Sequence, residues 1–242
     1  MSDARKFLIV NSDDFGLSQG VNAGIIRAHE QGILTSASLM VRWPAAKEAA
    51  SYAKANSKLS VGLHVDLAEW VFRDGEWKPL YQVVSTDDPV AVKNEVTRQL
   101  DAFCTLVGKN PTHIDSHQHV HRNEPARSVF LQIAQTLGIP LRSFSSEVRY
   151  YGDFYGQTGE GEAYPEGISA DILLKTFEKL ESGFTELGCH PGDDENLNSV
   201  YRLERKQEVA VLCDPKIRDA VERMEIQLCS FADVTQLKAR PL

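Results

Sequence analysis

The chain alternates between short apolar runs and segments with helical spacing. Residues 6–11 (Lys-Phe-Leu-Ile-Val-Asn) form an apolar run of the kind buried on both faces of a parallel sheet. Val21, Ile25 and Ala28 then recur at helical spacing over 21–30, and Gly32 ends that helix. The alternation continues. Further strands are predicted at 33–41, 59–65, 112–116, 139–142, 184–189 and 226–231, and helices at 45–55, 88–107, 127–137, 170–180 and 201–212, with a short helix at the C-terminus. Pro44 and the Asp88-Pro89 pair mark helix starts, and Gly138 marks a helix end. Two stretches break the rhythm: an aromatic loop over 66–87 and a Gly-, Tyr- and Glu-rich insertion over 145–168 that reads as a loop or lid.

About seven β-then-α units without a linker between them predict one domain over residues 1–242. Right-handed βαβ units in that number either wind doubly into an open sheet or close into a barrel. No G-x-G-x-x-G follows the first strand. The expected fold is therefore α/β, a distorted (βα) barrel with about seven parallel strands.

Composition narrows the picture mainly by exclusion. With 42% hydrophobic and 25% charged residues the chain has the balance of an ordinary globular protein and not of a disordered one. Lys and Arg total 26 against 34 Asp and Glu, a net charge of −8, and no basic cluster offsets it, so nucleic acid is not an expected partner. No apolar run approaches the ~18 residues of a membrane span. Residues 1–6 show no signal-peptide pattern, and Cys104, Cys189, Cys213 and Cys229 form no C-x-x-C pair; they read as reduced thiols of a cytoplasmic protein.

The polar residues change the picture most, through where they fall. Asp13 and Asp14 follow the first predicted strand, His64 ends the third, His117, His119 and His121 follow the fourth, and His190 follows the sixth. In a parallel barrel all these strand ends lie on one rim, where chemistry is built. Each has a plainer explanation alone: Asp13-Asp14 before Gly16 suits a turn and helix cap, and a single strand-end histidine is usually a hydrogen-bonded rim residue. Their coincidence on one rim favours a site. Over 113–121, an extended chain would place His113, Asp115, His117, His119 and His121 on one face, which core packing does not explain. One or two of these histidines, His64 and one aspartate make a two-His-one-carboxylate set for a divalent metal, with the others orienting it. Of the adjacent aspartates one then binds metal while the other faces the attacking water, and His190 approaches from the far side as a general acid. Spacing alone leaves His117 and His119 as equal ligand candidates.

These residues carry a resemblance. The stretches Asn11-Ser-Asp-Asp-Phe-Gly-Leu-Ser18, Gly32-Ile-Leu-Thr-Ser-Ala-Ser-Leu-Met-Val41, Val61-Gly-Leu-His64, Thr112-His-Ile-Asp-Ser-His-Gln-His-Val-His121 and Gly188-Cys-His-Pro-Gly192, in this order and spacing, resemble the YdjC-like carbohydrate deacetylases, the family of chitooligosaccharide deacetylase. The resemblance implies a distorted seven-stranded (βα) barrel that hydrolyses the N-acetyl group of an amino sugar with one divalent metal, zinc or magnesium foremost. It also implies Asp14, His64 and His117 as metal ligands, Asp13 as base and His190 as general acid. A homodimer is compatible with the family, though no segment marks an interface.

The chain also departs from the family pattern. Arg42, after the second strand, replaces the small residues expected there and either meets an anionic group of the substrate or covers a helix start. Trp70, Trp77, Tyr151 and Tyr155 are candidates for stacking on sugar rings or for anchoring loops to the core. Asp115, His119 and His121 are expected to contact substrate or orient ligands. Two other functions fit parts of the pattern: a two-His-one-carboxylate iron oxygenase, and a saccharide-binding protein without catalysis. The helical content argues against the first, and the presence of both Asp13 and His190 against the second.

Overall fold

The computed structural model describes residues 5–194, 197 and 199–238; the stretch 1–4, read above for leader signals, lies outside them. In chain order the elements are β1 (Lys6–Phe15), α1 (Gln19–Gln31), β2 (Ser36–Leu39), α2 (Ala46–Ala55), β3 (Ser60–Val65), β4 (Ala68–Arg73), β5 (Glu76–Gln82), α3 (Pro89–Val107) and β6 (Ile114–Ser116). They continue as α4 (Ala126–Leu137), β7 (Val148–Tyr151), α5 (Ala170–Lys179), β8 (Gly183–Cys189), α6 (Glu204–Leu212), α7 (Pro215–Arg223), β9 (Ile226–Cys229) and α8 (Phe231–Lys238).

Seven strands form one parallel sheet in the order β6-β3-β2-β1-β8-β7, with β9 also paired to β1. The central strand β1 explains its curl. Lys6–Ile9 of β1 pairs with β9, Asn11–Phe15 pairs with β2, and β8 runs along the opposite edge from Lys6 to Ser12. Two strands thus diverge from one edge of a third, and the sheet curls into a half-barrel flanked by helices, as the α/β pattern predicts.

Local signals set the helix ends. Ser18 caps α1 by accepting from Val21 N (3.1 Å), and Asp88 caps α3 by accepting from Val90 N and Ala91 N, with Pro89 in the first turn. Gly108 and Gly138 end α3 and α4 in the left-handed conformation.

Several segments differ from expectation. The stretch 66–87 contains the antiparallel hairpin β4–β5, turning at Asp74 and Gly75, whose φ values of 55° and 80° suit a type I′ turn. The 145–168 insertion contains β7, a sheet strand paired parallel to β8. The strand expected at 139–142 is reduced to a single bridge between Ile114 and Leu141, because Pro140 has no N–H to extend a ladder. Past β6 the chain does not stay extended: His117–Arg122 turns as a 3-10 helix with φ of +48° at Gln118 and +55° at His119. The alternation that was to align five side chains therefore ends at Ser116.

Leu8 and Val10 of β1 join the main apolar core, whereas Ile9 packs with Val148, Cys229, Phe231 and Val234 in a small second cluster. His113 sits at this foot with its ring stacked on Phe231 (centroids 3.8 Å apart). On its other side is Gly62, where an added Cβ would lie 2.5 Å from the ring, so only glycine admits it. Toward the strand C-termini the buried positions become polar: Asn11, Ser38, Asp115 and Glu186.

Candidate functional site

The site begins where β1 bulges against β2 between Ser12 and Phe15, with Asp14 at φ +67°. The bulge separates the two aspartates. Asp14 Oδ1 lies 3.4 Å from His64 Nε2 and 3.2 Å from His117 Nδ1, and all three side chains are buried. Asp14 Oδ1 and His64 Nε2 have no hydrogen-bond partner, which is costly for buried polar atoms unless a further group sits between them. Burial disfavours charge on both imidazoles, yet Asp13 and Asp115 hold the His64 pKa well above its usual value, and Asp14 and Glu69 raise that of His117 to about 9. The surroundings thus favour positive charge at this point. Two imidazole nitrogens and a carboxylate oxygen are the donor set that divalent zinc and its neighbours accept, so the three residues fit such an ion.

Behind His64 lies a charged network. His64 Nδ1 is 2.6 Å from Asp115 Oδ1, and Asp115 Oδ2 accepts from Ser38 Oγ (2.7 Å). Arg142 Nη2 lies 3.0 Å from Asp115, while the same guanidinium forks onto both oxygens of Asp13 (2.6 and 2.7 Å) and donates to Glu186 Oε1. One fully buried arginine therefore holds three carboxylates. Burial pushes Glu186 up to about 7 against the pull of Arg142; at Asp13 burial also pushes upward, but Arg142 and His64 prevail and hold its carboxyl below the usual range. Sequence reasoning missed Arg142, although it closes the predicted strand 139–142 and the strand-end rule applied to carboxylates and imidazoles extends to it.

On the opposite side, His190 follows β8. Its backbone N–H donates to Glu208 Oε2, and its ring lies between Tyr155 and Tyr201 (centroids 5.4 and 5.1 Å). Nε2 lies 3.7 Å from Asp13 Oδ2, Nδ1 has no partner, and burial lowers the imidazole pKa to about 4. Arg205, three residues before Glu208 on α6, donates to Asp14 Oδ2 at 2.6 Å. One face of α6 thus braces both halves of the site. Neither residue was expected from sequence: in a helix this rich in charge, nothing marks which side chains are buried.

A cavity of about 610 Å³ opens above these groups, with Asp14, His117 and His190 at its base. Trp70, Trp77 and Tyr155 line it, and so do Tyr150 and His119. Tyr151 does not line it and packs against the core instead. Arg42 also stays outside: Asp66 holds it at 2.6 Å and also accepts from Trp43 Nε1 and Tyr81 Oη. His121 is buried behind the rim, with Nδ1 2.7 Å from Ser116 Oγ.

A curled parallel α/β sheet with a candidate metal triad at its strand ends, under an aromatic-walled cavity, has the build of a hydrolase of small ligands. The comparisons agree with that architecture. The model of the YdjC-like protein family matches residues 7–223, and the chain belongs to this family. It is 32% identical to a carbohydrate deacetylase of Geobacillus stearothermophilus, over 96% of this chain and 99% of that one. It is also 32% identical to a chitooligosaccharide deacetylase of Serratia marcescens, over 95% and 99%. A crystal structure from Enterococcus faecalis V583, of a protein named for cellobiose-phosphate cleavage, superposes with a TM-score of 0.75 at 26% identity, covering 96% of this chain and 99% of its own.

Proposed function

We propose that this chain is a divalent-metal-dependent carbohydrate deacetylase that removes the acetyl group of an N-acetylated amino sugar or short oligosaccharide as acetate. The observation that carries the reading is the buried Asp14–His64–His117 cluster at the base of an aromatic-walled cavity, in a chain whose relatives are named for that activity. Asp14, His64 and His117 would hold the ion, zinc or magnesium. When bound, such an ion supplies Lewis-acid polarisation of the acetamide carbonyl and lowers the pKa of water towards ~7.

The remaining chemistry falls to the chain. Arg142 keeps Asp13 charged and fixed, so its carboxylate accepts a proton from the attacking water. His190 is neutral at rest, because burial lowers its pKa to about 4, and it must acquire the proton it delivers. Asp13 Oδ2 is 3.7 Å from His190 Nε2, so the proton passes from water to Asp13, then to His190, and finally to the amide nitrogen as the C–N bond breaks. The aromatic walls supply apolar contact for pyranose faces.

A second reading makes His190 the sole proton carrier, oriented by Asp13 beneath it. It is favoured by one observation: His190 lines the cavity and Asp13 does not. The function is tested by acetate release from N-acetylated mono- and oligosaccharides, before and after chelation and reloading. Release that stops on chelation and returns with the ion is expected. Saccharide binding without release from any substrate would leave only a binding protein.

A further inference from the structure

The β4–β5 hairpin supplies more than an aromatic wall. Its ladder shifts register between Glu69 and Trp70, and Glu69, next to this irregularity, is 3% exposed. Glu69 Oε1 accepts from Ser199 Oγ (3.0 Å) and Val200 N (3.3 Å), which fixes the carboxyl plane. The other oxygen, Oε2, lies 3.9 Å from His117 Nε2, a buried nitrogen with no hydrogen-bond partner.

The two nitrogens of His117 therefore face different groups. Nδ1 is the one beside Asp14 Oδ1, at 3.2 Å, and Nε2 looks towards Glu69. His64 has the same arrangement with its nitrogens exchanged: Nε2 faces Asp14, and Nδ1 is held by Asp115. A ligating imidazole needs a partner for its second N–H to fix tautomer and ring plane, and a carboxylate is the usual one. Facing the far nitrogen, Glu69 is placed to orient the ring and not to ligate the ion. A small turn of the side chain or one bridging water closes 3.9 Å to hydrogen-bond length.

A second contact locks the register. Gln118, next to His117, accepts from Trp70 N (2.7 Å) and donates to Trp70 O (2.9 Å). The residue after Glu69 is thus clamped to the residue after His117. Trp70 and Trp77 of the same hairpin line the cavity.

We propose that Glu69 is the orienting carboxylate of His117, a positioning residue, and that the hairpin is thereby part of the metal centre. This rests on the assignment of Asp14, His64 and His117 as ligands. It joins the segment that lines the sugar cavity to the segment that steadies the ion.

The test is calorimetric titration of zinc into the demetallated full chain, for wild type, His117→Ala, Glu69→Ala and the near-isosteric Glu69→Gln. Metal-orienting carboxylates are worth roughly 10–100-fold in affinity, so Glu69→Ala is expected to fall by that factor and Glu69→Gln by roughly tenfold. His117→Ala falls further. Wild-type zinc affinity in Glu69→Gln, or in a folded Glu69→Ala whose KM for sugar alone has risen, overturns the proposal and leaves the triad standing. Zinc affinity unchanged in His117→Ala overturns the triad itself, and the role of Glu69 with it.

Discussion

Arg142 meets Asp13 fork to fork: its two terminal nitrogens lie 2.6 and 2.7 Å from the two carboxylate oxygens, and both side chains are buried. The same guanidinium also faces Asp115 and Glu186, so its loss strands three buried carboxylates at once. Arg142→Ala is expected to cost about 3–5 kcal/mol of stability or more, the range for breaking a buried pair by removing one partner. Arg142→Lys keeps the charge but loses the planar fork, and should recover part of the stability and little of the activity. Denaturant unfolding beside acetate release checks both.

The adjacent aspartates should separate metal binding from turnover. Asp13→Asn is expected to retain the ion and lose most activity, because Asp13 pairs with Arg142 and faces His190, whereas Asp14 supplies the carboxylate oxygen of the candidate triad. Asp14→Ala should lose both, since Asp14 Oδ1 is the point on which His64 and His117 converge. Metal analysis and acetate release on the same preparations decide it. An active Asp13→Asn enzyme would contradict the base assignment and favour His190 as the sole proton carrier.

Glu208 makes a prediction about pH. Burial pushes its carboxyl up to about 8, against Tyr201, the His190 backbone N–H and Arg205, so the folded protein holds a proton that the unfolded chain gives up near pH 4.5. A carboxyl raised on folding contributes fully below its unfolded pKa, and that contribution is lost as pH rises through the folded value. Between pH 5 and 8 the wild type should therefore lose stability relative to Glu208→Gln, by on the order of a few kcal/mol. Unfolding of both proteins at pH 5 and pH 8 measures the difference. Parallel profiles would mean that Glu208 is charged in the fold.

Trp77 is 49% exposed yet lines the cavity, so little of the core depends on it. Trp77→Ala should leave the melting temperature within a few degrees of wild type and raise KM for oligosaccharides several-fold. An unchanged KM would make Trp77 a surface residue of the hairpin and nothing more.

Much of this site was legible because parallel strands deliver their C-terminal ends to one rim. Asp14, His64, His117 and His190 each end or follow a strand predicted from the sequence, and the structure brings all four together. The segments beyond the strand ends were less legible. His119 and His121 leave the expected face because Gln118 and His119 take positive φ without being glycine, for which the sequence carries no mark. The hairpin was readable in retrospect from Asp74-Gly75, a type I′ turn pair between two runs of strand length. Arg42 kept two readings in the sequence because its partner, Asp66, lies 24 residues away and nothing local announces it. Arg205 and Glu208 were hidden for the opposite reason: α6 has so many charges that burial of two of them is decided by packing alone.

The most direct measurement is the metal content of the purified protein, wild type beside His117→Ala, after dialysis and controlled reloading. The expected result is about one equivalent of zinc or a similar divalent ion in the wild type and its loss in the variant, with acetate release following occupancy. Equal metal content in the two proteins, or none in the wild type under any loading, would contradict the assignment of this rim as a metal centre.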